Sequence, residues 1–130
     1  MKKYITLFAF FLLVKLSSAQ YSLVFCEDIT GDGKPVKVSN QFQVDKEGGA
    51  LKLLMRTDDS FKAENLDFRI YYMSDAGAEE EIIRLPQPVE PDWTFAWKEL
   101  VLFNSGQYRI KVYTDKGIYL TSANVTIKNT

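Results

Sequence analysis

Between Cys26 and Pro35 the chain reads CEDITGDGKP, and the DITGDG within it matches the first six positions of a calcium-binding loop. Such a loop wants oxygen ligands at positions 1, 3 and 5, glycine at 6 for the sharp turn, and a bidentate glutamate at 12. Counted from Asp28, the residues Thr30, Asp32 and Gly33 fall into place, but position 12 is Ser39. Strand-like sequence, not helices, flanks the stretch. The residues read better as a hairpin turn, in which Gly31 and Gly33 supply positive φ and Asp32 bonds to the backbone. The alternative is a weak calcium site of Asp28, Asp32 and a backbone carbonyl, which extracellular millimolar calcium would fill.

Other chemistry is restricted by composition. The 130 residues contain no histidine and one cysteine. No intramolecular disulfide, no Ser-His-Asp or Cys-His pair and no histidine-ligated zinc site can form within the chain. Cys26 ends the apolar run SLVFC and reads as a small buried hydrophobe. Glu79, Glu80 and Glu81, or Asp58 with Asp59, have the residue types of a glycosidase acid–base pair. Such a pair must face across a cleft, and these carboxylates are adjacent within polar segments, where solvated charge is the better reading. With no nucleophile–base pair, metal cluster or cofactor motif, the chain is expected to be non-enzymatic and to use no cofactor.

The aromatic row of WTFAWKELVLF raises a different chemistry. Trp93, Phe95 and Trp97 share one parity and could stack on pyranose rings as a sugar-binding platform. The same parity continues through Val101 and Phe103, while Leu100 and Leu102 take the other, a pattern expected of a strand covered on both sides. The row is therefore assigned to the core. Exposure of Trp93 and Trp97 would favour the platform instead. Asn124-Val125-Thr126 is a glycosylation sequon inside a predicted strand, an awkward place for glycan transfer.

These residues need a scaffold and an address. Lys2 and Lys3 precede an apolar run of about 11 residues, too short for the roughly 20 of a membrane-spanning helix, and SSA follows at 17–19. Residues 1–19 read as a secretory signal peptide, leaving 20–130 as one domain that is periplasmic or extracellular, with no membrane span after cleavage. Loss of Lys2, Lys3 and Lys15 lowers the 16 basic residues to 13, against 17 acidic ones, a net charge of about −4. An acidic domain without a Lys/Arg run is a poor partner for nucleic acid.

The remainder alternates strand-like runs with turn signals and shows no helical period. About eight strands are expected, at 21–26, 36–44, 50–57, 66–73, 82–85, 93–103, 107–113 and 118–127. Three prolines in LPQPVEP place that segment at an edge or in a crossover, because proline cannot donate to a central ladder. In the last run the apolar parity changes between Leu120 and Ala123, which implies a bulge near Thr121 or Ser122. Short strands at this spacing predict an all-β, two-sheet sandwich. FNSGQYRIKVY followed by a strand ending in NVTIK resembles the end of immunoglobulin-like domains of the bacterial and fibronectin-like kind. The resemblance covers the C-terminal third, implies that Tyr108 is a tyrosine corner with Gly106 at the turn before it, and carries no activity. Two functions are expected from these features: a non-enzymatic module that binds a protein partner, or a carbohydrate-binding module using Trp93 and Trp97.

Overall fold

The computed structural model describes residues 21–130; the signal peptide read at 1–19 lies outside the described residues. Ten strands follow in order: β1 (Tyr21–Cys26), β2 (Asp28–Ile29), β3 (Pro35–Val36), β4 (Gln41–Val44), β5 (Gly49–Thr57), β6 (Asn65–Met73), β7 (Glu79–Pro88), β8 (Phe95–Leu102), β9 (Gly106–Thr114) and β10 (Tyr119–Asn129). One sheet has the order β1-β5-β8 and the other β4-β10-β9-β6-β7, while β2 and β3 form a separate hairpin. All pairings are antiparallel except β4 with β10. The chain is an all-β, immunoglobulin-like sandwich.

Period-two burial explains the layering. Leu51, Leu53 and Met55 of β5, with Leu23 and Phe25 of β1, turn inward against Leu66, Phe68 and Ile70 of β6 and Tyr108, Ile110 and Val112 of β9. Val125 and Ile127 of β10 complete that inner face, and Phe61, from the segment between β5 and β6, is buried with them. The tyrosine corner is formed: the Tyr108 hydroxyl donates to the Asn104 carbonyl at 2.7 Å. Gly106 is required beside it, since its φ is +144° and a Cβ there would lie 2.6 Å from the Tyr72 ring. The expected bulge is present as a register shift between Tyr119 and Thr121.

Three strand expectations are corrected. The run 36–44 is broken, because Lys37 takes a φ of +56° and the chain leaves β3 before re-entering a sheet at β4. The short strand at 82–85 extends to ten residues, as Glu79 crosses the sheet face to pair with Arg109 and Lys111, and Arg84 pairs with Glu81. Its prolines are accommodated because β7 is the terminal strand of its sheet, and Pro91 lies in the crossover to β8. The third correction concerns β8. Ala96, Leu100 and Leu102 are its buried positions, whereas Trp97, Val101 and Phe103 are exposed, as is Trp93 before it, so only one of the two faces expected to be covered is, and the tryptophan row assigned to the core lies outside it.

Candidate binding groove

The DITGDG stretch is the β2–β3 hairpin. The Gly33 amide donates to the Thr30 carbonyl at 3.0 Å, and the Thr30 amide to the Lys34 carbonyl at 2.9 Å. Gly33 has a φ of +83°, as a turn of this kind needs, but Gly31 lies outside the positive region. Asp32 accepts the Thr30 hydroxyl rather than a backbone amide and lies 3.7 Å from the Lys34 ammonium. Asp28 accepts its neighbour's amide and bonds Lys52 Nζ at 2.9 Å. That ammonium, hydrogen-bonded to Asp28, holds its carboxyl below the usual carboxylate range. Each loop carboxylate thus has a cation for a partner, and among the described residues no group of three or more carboxylate or thiol side chains converges as a metal cage would.

The hairpin covers part of the outer face of the three-stranded sheet. The Glu27 amide bonds Val36, the Ser39 amide bonds Phe25, and a Cβ on Gly33 would meet the Phe95 ring at 2.7 Å. Leu54 and Cys26 lie on the outward parity of β5 and β1, yet both are fully buried. Burial pushes the Cys26 thiol up from its ordinary pKa.

Past the hairpin, the same face opens. Trp93 is 44% exposed and Trp97 43%, and Phe95 is half-buried between them. Trp97 stands opposite Leu54 in the ladder, and Lys52 Nζ lies 4.9 Å from the centroid of its ring. Beside them runs an open groove of about 700 Å³, lined by every residue from Asp92 to Glu99 and by Gln87 of β7. Asp92, Trp93 and Thr94 lead into β8, and Phe95 to Glu99 belong to it, so the groove runs along the first part of a strand at the sheet's end. Among the described residues no strand lies beyond β8 in its sheet, and β7 is likewise terminal in the other.

Sequence reasoning passed over the free edge and one side chain on it. Lys98 shares the inward parity of Ala96, Leu100 and Leu102 but is half-exposed and lines the groove. A single charge within an apolar parity was the available signal. The other carboxylate clusters stay apart: Glu79 pairs with Arg109 and Lys111, Glu81 with Arg84, and Asp59 with Lys62. Asn124 lies within β10, where its side-chain oxygen accepts the Arg109 Nε–H at 2.9 Å.

No protein-family model and no curated protein sequence matches the chain. Solved structures do. An immunoglobulin-like protein from Pseudomonas aeruginosa superposes with a TM-score of 0.53 at 8% identity, covering 86% of this chain and 98% of that one. A superoxide reductase (neelaredoxin) from Ignicoccus hospitalis gives 0.49 at 10% identity, over 90% and 86% of the two chains. The CARDB domain of a Pyrococcus furiosus protein, in complex with di-metal ions, gives 0.46 at 10% identity, over 87% and 94%. The Pseudomonas likeness shows the immunoglobulin-like fold, and at that identity a shared fold carries no activity with it.

Proposed function

We propose that the protein is an exported, non-catalytic binding module that engages a protein partner through the groove along β8. The observation that carries this reading is the exposure of Trp93 and Trp97 beside a groove that runs along an edge strand. Large aromatics are costly to leave in water and are enriched where partners bury them. The groove's course, along consecutive residues from Asp92 to Glu99, suits a polypeptide. Exposure of the two tryptophans also supports the carbohydrate reading, with Gln87, Asp92 and Glu99 available to bond hydroxyls. A protein partner is preferred because a pyranose needs an open ring face, and the Lys52 ammonium stands over the ring of Trp97.

Trp97→Ala separates these readings. The half-exposed side chain should cost about 1 kcal/mol of stability on removal, against the roughly 3–5 kcal/mol of a core tryptophan. Affinity capture from the producing organism with tagged protein should retain a partner protein that the variant loses at nearly unchanged urea midpoint. Retention of the wild type on a polysaccharide gel, lost in the variant, would establish the carbohydrate reading in its place.

A further inference from the structure

We propose that the open edge of β8 takes up an extended segment of the partner protein as an additional antiparallel strand, and that Lys98 selects a segment carrying a carboxylate. This rests on the protein-binding reading of the groove and names the form in which the partner binds.

The backbone of β8 is set for it. The Thr57 amide donates to the Thr94 carbonyl at 2.9 Å, and the register continues through Met55–Ala96, Leu53–Lys98 and Leu51–Leu100. Bonded pairs alternate with unbonded ones in an antiparallel ladder. Ala96, Lys98 and Leu100 therefore spend their amides and carbonyls on β5, while Phe95, Trp97, Glu99 and Val101 direct theirs at the open edge. The opposite layer leaves room for one more strand. Ile83 and Leu85 of β7 stand opposite Ile70 and Phe68, and so face inward, but they stay only partly buried, as no strand among the described residues lies beyond β8 to cover them.

Lys98 sets the chemistry of the occupant. Among the described residues no carboxylate lies within ion-pair distance of it. An inward-pointing charge on an edge strand penalises indiscriminate pairing. A segment that places a carboxylate opposite Lys98 turns the penalty into a cross-strand pair, at an unbonded position where side chains approach most closely. On the outer face an apolar residue would lie opposite Trp97 and a lysine opposite Glu99. Read in the antiparallel direction, the preferred core is Lys-Glu-Val.

The test is titration of 15N-labelled protein with the synthetic peptide acetyl-Val-Thr-Lys-Glu-Val-Thr-Val-amide. The amides of Phe95, Trp97, Glu99 and Val101 should shift and exchange more slowly. Replacing the peptide's glutamate by lysine should weaken binding about tenfold, and Lys98→Glu should reverse that ranking. N-methylating the valine opposite Trp97 should abolish binding, whereas N-methylating a threonine, whose amide points away from β8, should not. Glu99→Pro, which removes an outward amide and no bond to β5, should lose the peptide while Glu99→Ala keeps it.

Equal binding of both N-methylated peptides, or a ranking unmoved by Lys98→Glu, would overturn strand addition. The groove would still stand as the protein-binding surface if Trp97→Ala lost the captured partner. Changes at the β8 amides that depend on protein concentration without peptide would overturn it in favour of a second copy at the edge. Cellohexaose shifting the indole signals of Trp93 and Trp97, with no response to peptide, would overturn both.

Discussion

Glu79 shows how much a residue's meaning depends on where its strand puts it. In sequence it opens a run of three glutamates; in the fold it reaches across the outer sheet face to β9, where it bonds Lys111 Nζ at 2.7 Å and pairs with Arg109. The Lys111 bond comes first among the causes that hold its carboxyl below the ordinary range, and Lys111 is raised in return. A lowered carboxylate contributes stability that is present above its unfolded pKa, near 4.5, and is lost as pH falls through the folded value. A raised lysine contributes stability that is present below its unfolded pKa, near 10.5, and is lost as pH rises through the folded value. Urea midpoints of Glu79→Gln should therefore lie below the wild type at neutral pH, converge with it as pH falls through the lowered carboxylate value, and draw nearer to it as pH rises through the raised Lys111 value. A gap that persists once the carboxylate is protonated would show that packing, not charge, ties Glu79 down. The same face carries Arg69 3.9 Å from the centroid of the Tyr113 ring and Lys111 4.6 Å from that of Tyr71, so the charged run reads as sheet surface rather than an acid–base pair.

At the scale of elements, the β2–β3 hairpin answers the question its sequence raises. It acts as a cover over Leu54 and Cys26, with Gly33 seated on the Phe95 ring. Gly33→Ala would place a Cβ 2.7 Å from that ring on a backbone with φ +83°, and both effects oppose the seated hairpin. The variant should lose about 1–2 kcal/mol and react faster with a thiol reagent at Cys26, because lifting the cover exposes the sulfur. Unchanged reactivity at matched stability would mean that the hairpin does not guard the thiol. The hairpin also bears on the apolar outer face of β8. An apolar outer face is tolerated where a second layer shields part of it, and that layer reaches Phe95 while Trp93 and Trp97 on either side stay exposed.

The whole molecule is two sheets of unequal width, three strands against five, and the inequality creates the groove. Had β8 a neighbour on its open side, Ile83 and Leu85 would be core and Trp97 an ordinary surface aromatic. Export belongs to this scale too: intact-mass analysis of protein recovered outside the cytoplasm should give a chain beginning at Gln20. Recovery with residues 1–19 attached would contradict cleavage after Ala19. A chain with one cysteine depends on packing, with no disulfide of its own to assist, and its core joins Leu53 and Met55 of the three-stranded sheet to Phe68, Ile70, Ile110 and Val112 of the five-stranded one. Its tolerance of Trp97→Ala should contrast with Ile110→Ala, which removes a fully buried side chain and should cost about 2–5 kcal/mol.

From sequence alone, the period-two runs determined the all-β class, the strands β1, β5, β6 and β9 and the bulge of β10, and the resemblance of FNSGQYRIKVY to the end of immunoglobulin-like domains placed the tyrosine corner at Tyr108, since each depends on residues close in the chain. Proline chemistry placed β7 at an edge for the same local reason. Only the tertiary structure decided which face of β8 looks inward, because alternation separates two faces without saying which one the other sheet will cover. The tertiary structure likewise decided the partners of Glu79, the task of the GDG hairpin and the free edge beside Lys98. Each arises from elements far apart in sequence, where the energy of a contact depends on what the fold lays against it.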